Sequence, residues 1–214
     1  MSQRNYTAAD RLMLHADTAL RTIFGRPHTT GRANPSADIE ECPMDEQQQR
    51  HTAGLMRINH AGEVAAQGLY EGQAMTARLT TVRDRMQRAA AEENDHLDWC
   101  EQRIEELGQH KSLLNPAWYL GSLAIGALAG KAGDRWSLGF VAETERQVVK
   151  HLDEHLQELA PQDQRSRAIL QQMREDELQH ATSASAAGAA ELPDPVKKLM
   201  ALTSKVMTST AYHW

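Results

Sequence analysis

The chain has 214 residues, 41% of them hydrophobic and only 5% aromatic, with 23 Lys and Arg against 29 Asp and Glu for a net charge of −6. That length holds one domain with a sizeable core, the abundance of Ala, Leu, Gln, Glu and Arg favours an all-α fold, and an acidic balance without any Lys/Arg run excludes nucleic acid as a partner. Two cysteines, Cys42 and Cys100, supply neither a disulfide framework nor a cysteine-based zinc site, and the N-terminus has neither the apolar region of a signal peptide nor the acid-poor composition of a transit peptide.

In chain order, Thr7 and Asp10 read as the start of an amphipathic helix carrying Leu12, Ala16, Leu20 and Ile23 on one stripe, closed by Gly25. Residues 26–46, with Pro27, Gly31, Pro35 and Pro43, read as a connector. A long helix is predicted from about residue 45 to 79, with Leu55, Ile58, Gly62, Glu63, Ala66 and Tyr70 facing inward, and a second from about 81 to 107, ended by Gly108. The short turn between them makes an antiparallel hairpin. Residues 113–130 carry no charge, yet fall short of the roughly 20 apolar residues a spanning helix needs. A second hairpin follows over about 134–159 and 162–187, turning at Ala160 and Pro161. After Pro195 a last amphipathic segment places Val196, Leu199, Leu202 and Val206 on one side and closes at His213 and Trp214.

The hairpins repeat one pattern. Glu63 is followed thirty residues on by Glu93 with His96, and Glu145 thirty-two residues on by Glu177 with His180. Residues three apart on a helix share a face, so each Glu-x-x-His aims a carboxylate and an imidazole the same way. Four acids on the core-facing stripes of an apolar bundle would each cost several kcal/mol, about the penalty of an unpaired buried charge, unless they hold a cation. A bundle taking one Glu from each of two helices and a Glu-x-x-His from each of the other two builds a dinuclear carboxylate centre, and the apolar segment is placed to be the long crossover of a ferritin-like four-helix bundle. The acids preceding each motif suggest outer partners, Asp176 supporting His96 across the bundle and Glu92 supporting His180. His60, three before Glu63, reads as a polar group at the mouth or just outside the ligands, and His151 as one reaching the rim of the site. Cys100, Met173 and Met200 read as packing.

The stretch Asn59-His60-Ala61-Gly62-Glu63, the Glu93-Asn94-Asp95-His96 run, Glu145 with His151, and Asp176-Glu177-Leu178-Gln179-His180 together resemble the demethoxyubiquinone hydroxylase family of ubiquinone biosynthesis, over roughly residues 48–214. The resemblance implies an all-α, ferritin-like di-iron monooxygenase domain over 48–214, with an apolar crossover helix and an additional C-terminal helix, preceded by an N-terminal helix and connector over 1–47. It implies two iron ions per chain held by Glu63, Glu93, His96, Glu145, Glu177 and His180, at a type of site that also accepts manganese. The implied reaction is O₂-dependent hydroxylation of the ring of a polyprenyl demethoxyubiquinol, with electrons from an external reductant, since no nicotinamide fingerprint of the Gly-x-Gly-x-x-Gly type is present. It further implies ubiquinone-biosynthesis protein partners and peripheral attachment to the cytoplasmic face of the cell membrane. Residues 113–130, flanked by Trp118, Tyr119 and Trp136, fit an interfacial helix. The rival reading is a ferritin-like iron-storage or peroxide-reducing protein, which would keep the six ligands without needing an exposed apolar crossover.

Overall fold

Helices form where the caps and periodicity place them. The computed structural model describes residues 7–214, except the side chains of Ala8, Arg11 and Leu12, so Leu12 in the first predicted stripe lies outside the described residues. Among those residues are seven helices and no strand: α1 Ala8–Phe24, α2 Glu46–Thr76, α3 Thr80–Glu106, α4 Asn115–Ala132, α5 Asp134–Glu158, α6 Gln164–Ala186 and α7 Asp194–Ala211. Capping boxes open α1, between Thr7 and Asp10, and α2, between Asp45 and Gln48. Two boundaries differ from expectation for local reasons. α2 stops at Thr76 because the next turn is held from outside, the Asp134 carboxylate accepting from the backbone N–H of Arg78 at 3.0 Å and of Leu79 at 2.9 Å. α7 starts at Asp194 and includes Pro195 in its first turn, where a missing N–H costs no helical hydrogen bond.

The hairpins α2–α3 and α5–α6 form the bundle, and α4 runs as the crossover along α2. α2 is therefore buried nearly all round, including Leu55, Ile58, Glu63 and Tyr70 on its bundle face and Gly68 and Gly72 on the face toward α4. Backbones meet there: a Cβ on Gly72 would strike the main chain of Leu123 to Ala127, and one on Gly126 that of Leu69. Cys100 and Met173 lie in the main core cluster with Leu55, Trp99, Leu152 and Leu170.

The N-terminal stripe is rotated from expectation. Ile23 is buried against Val64, Leu97 and Tyr119, with Ala19 beside it, whereas Leu20 is 59% exposed. Tyr119, expected at an interface, is thus a core residue, and among the three aromatics flanking the apolar segment Trp136 is the one left largely exposed.

Candidate metal centre

The two motifs converge in the bundle interior. Glu63 comes from α2, Glu93 and His96 from α3, Glu145 from α5, and Glu177 and His180 from α6. One ligand atom from each of Glu63, Glu93, His96 and Glu177 lies within 4.8 Å of the others, and all four residues are buried. Glu93 presents one oxygen to each imidazole, Oε2 at 2.8 Å from His96 Nδ1 and Oε1 at 3.1 Å from His180 Nδ1. Glu177 does the same, with Oε1 at 3.1 Å from His96 Nδ1 and Oε2 at 3.2 Å from His180 Nδ1. Glu63 approaches only the His96 side, at 4.0 Å from Nδ1. Glu145 feels the charges of Glu177, Glu93 and His180. Two carboxylates, Glu93 and Glu177, lie between the imidazoles, Glu63 lies toward His96, and Glu145 stands outside the group of four, held by Tyr70.

Both outer pairs are brought together. His96 Nε2 lies 2.9 Å from Asp176 Oδ2 across the bundle, and His180 Nε2 lies 2.6 Å from Glu92 Oε2. Each ring thereby donates outward and turns Nδ1 toward the cluster. His151 is not brought to the cluster. Six residues past Glu145 it has rotated onto another face of α5, where Nε2 meets Ser204 Oγ of α7 at 3.1 Å and Nδ1 approaches Glu154 at 3.4 Å. His60 is not at a mouth either; it is fully buried with Nδ1 unpartnered, and burial together with Lys111 pushes its pKa down to about 3, so it is neutral.

Three contributors were not anticipated. Tyr70 donates its hydroxyl to Glu145 Oε1; it follows Glu63 by seven residues, two turns on the same face, which is the spacing that identifies it. Arg32 and Thr30, from the connector, bond to Asp176 and Asp95 on either side of His96, and no periodicity marks them.

Electrostatics say what the cluster wants. Burial pushes Glu63 and Glu145 well above the usual carboxylate range, and the like charges of Glu93 and Glu177 push further. Burial opposes charge at Glu93, His96 and His180 too, but opposite neighbours outweigh it: the imidazoles hold Glu93 below its usual value, Glu93, Asp176 and Glu177 hold His96 well above, and Glu177 and Glu93 raise His180 to about 12. Despite these close approaches, Glu93 Oε1 and Oε2, His96 Nδ1 and Glu177 Oε1 find no hydrogen-bond partner among the described residues. Buried carboxylates and imidazole nitrogens that converge while held protonated only by one another fit metal ligands, and two divalent ions would balance four carboxylates.

A cavity of about 290 Å³ leads to this cluster. Its floor includes Glu63, Glu145 and Glu177, and its walls come from Trp118 and Ile125 of α4, Phe140 of α5, and Leu199, Met200 and Met207 of α7. Met200, expected as packing, lines this wall. Ile125 at 39% and Leu199 at 64% exposure put the opening between α4 and α7. Leu120, Leu128, Leu202 and Val206 of the same two helices are also exposed. Among the described residues, no helix is long and apolar enough to cross a membrane.

A family model described as ubiquinone biosynthesis protein COQ7 matches residues 50–211. The chain is 59% identical over 212 residues to a Nitrosococcus oceani protein named 3-demethoxyubiquinol 3-hydroxylase, covering 99% of each chain. Proteins of the same name from Stutzerimonas stutzeri and Chromobacterium violaceum are 57% identical over 211 residues and 56% identical over 203 residues, covering 99% and 95% of this chain and 98% of each relative. The N-terminal helix and connector, outside the family model, fall within the first two of these alignments.

Proposed function

Since the chain belongs to the family of ubiquinone biosynthesis protein COQ7, we propose that it is a dinuclear iron monooxygenase that hydroxylates the ring of a polyprenyl demethoxyubiquinol with O₂. The observation that carries this reading is the apolar cavity with three carboxylates of the cluster on its floor. Its walls suit a hydrophobic ring and chain, and the relatives' names favour hydroxylation over iron storage or peroxide reduction. Most of the curated relatives' length is matched, and their names point the same way.

Glu63, Glu93, His96, Glu145, Glu177 and His180 would hold the ions, Glu93 and Glu177 lying between the two imidazoles. Iron bound there supplies the redox chemistry of dioxygen, which no side chain can supply. The rest belongs to the chain. Asp176 and Glu92 fix the imidazole tautomers. Tyr70 orients Glu145. Apolar side chains of α4, α5 and α7 exclude water from the face where the ring lies. Electrons arrive from a reductant outside the chain or with the quinol itself.

The polyprenyl tail leaves through the α4–α7 opening, and the exposed leucines around it rest on the cytoplasmic face of the cell membrane, with the protein peripheral and open to other ubiquinone-biosynthesis proteins. The large exposed apolar residues on both lips support this. Cells lacking the protein should accumulate a quinone missing one methoxy group, cleared by the wild-type chain and not by Glu177→Ala. A normal quinone profile in those cells would contradict the reading.

A further inference from the structure

The connector is laid along α3 rather than standing off the bundle. Thr30 donates its backbone N–H to Asp95 Oδ1 at 2.8 Å and its hydroxyl to Oδ2 at 2.5 Å, and Asp95 is fully buried. Asn94 Nδ2 donates to His28 O at 3.0 Å, and Asn34 Nδ2 to Gln102 Oε1 at 3.0 Å. These contacts fasten residues 28–34 across the segment that carries Glu93 and His96. Between them Arg32 reaches inward. Its Nη2 lies 2.7 Å from Asp176 Oδ2, the oxygen that faces His96 Nε2, and its guanidinium lies over the Trp99 ring at 5.0 Å from the centroid. Trp99 in turn sits 5.5 Å, ring to ring, from His96. Gln172 Nε2 donates to the other oxygen, Asp176 Oδ1, at 3.1 Å. Asp176 is thus fixed from three directions.

We propose that Arg32 is a positioning residue of the metal centre, holding Asp176 against His96 so that the N-terminal connector completes the surroundings of one ion position and not the other. The inference rests on the dinuclear reading of the cluster. A planar fork over Trp99 and bonded to Asp176 makes Arg32 a geometric clamp as well as a charge. On the other side Glu92 is 46% exposed, against 10% for Asp176, and among the described residues no Lys or Arg ion pair is made with it. Loss of an outer partner of a metal-bound imidazole typically costs roughly 10- to 100-fold in affinity or activity, and Arg32 acts one bond further out.

The test titrates metal-free, full-length protein with Co²⁺ and follows its visible absorption, which reports the coordination of each ion without turnover. Arg32→Gln should weaken one of two ions by about 10-fold and alter the band of that ion alone, while Arg32→Lys, keeping the charge but losing the fork, should recover part of the loss. Asn34→Ala, which cuts a contact of the same connector remote from Asp176, should bind as wild type does. The proposal is overturned if Arg32→Gln binds both ions normally, if Asn34→Ala shows the same loss, or if both ions weaken equally in step with a lowered melting temperature. A wild-type chain that takes up no Co²⁺ would overturn the dinuclear reading itself, an outcome distinct from two ions bound indifferently to Arg32.

Discussion

The two hairpins offer the same ligand types, yet their surroundings differ. On the α2–α3 side His96 is fully enclosed, its partner Asp176 is 10% exposed, and Arg32 and Gln172 hold that partner in place. On the α5–α6 side His180 meets a Glu92 that is 46% exposed, beside a recess of about 140 Å³ lined also by Arg85 and Arg88. The flanking carboxylates differ in the opposite sense, since Tyr70 donates to Glu145 while, among the described residues, Glu63 receives no comparable hydroxyl. A repeated motif therefore sets the inner ligands symmetrically, and the chain's unrepeated parts, the connector and the side chains of α2, make the two positions unequal.

The largest effects should ignore that inequality. Glu177→Ala or Glu93→Ala removes a carboxylate shared by both sides and should empty both positions and abolish turnover, a loss beyond the roughly 10- to 100-fold of an outer partner, whereas Glu63→Ala should leave one ion bound. Elemental analysis after gel filtration distinguishes the two patterns. Next, Asp176→Asn should lower metal affinity or kcat/KM by about 10- to 100-fold, and Glu92→Gln by about 10-fold at most, because water can replace a half-exposed partner. Equal losses would break the comparison.

Tyr70→Phe strands a buried oxygen of Glu145 and should cost about 1–3 kcal/mol of stability by chemical denaturation, with turnover reduced less than by Asp176→Asn. A pH-dependent effect belongs to the metal-free protein. His96 and His180 bind protons more tightly folded than unfolded, so their stabilisation is complete below the free imidazole value of 6.5 and is lost as pH rises toward the folded value, about 12 for His180. Glu63 and Glu145 are raised also and act in the same direction above their free value of 4.5. The melting temperature of metal-free protein should therefore fall between pH 6.5 and about pH 9, and metal should flatten the slope. Substituting Leu120 or Leu202 by Asp should change only liposome co-sedimentation, leaving metal content unchanged.

The helices were legible because Asp45 and Asp163 cap one helix of each hairpin and the stretches between the turns lack proline, and the positions now meeting in the core were legible because carboxylates such as Glu63, amid Ala61, Gly62, Val64 and Ala65, have no solvated explanation. The rotation of α1 was not, since Leu20 and Ile23 are equally apolar and only the shape of the groove beside Val64 and Tyr119 decides which is buried. Tyr119 likewise carries an interfacial composition but packs inward against α2. Arg32 was invisible for a deeper reason: a connector of Pro, Gly and polar residues has no period from which a direction can be read, and its route is fixed by tertiary bonds such as Thr30 to Asp95.

Hydroxylation of a quinol ring in the apolar cavity above the carboxylate cluster would depend on metal held there. The most direct measurement gives purified protein a reductant, a short-chain demethoxyubiquinol and isotopically labelled dioxygen. The account predicts one labelled oxygen in the new ring hydroxyl per turnover, dependent on two metal ions per chain and lost on chelation. Unlabelled product, or turnover that survives removal of the metal, would contradict it.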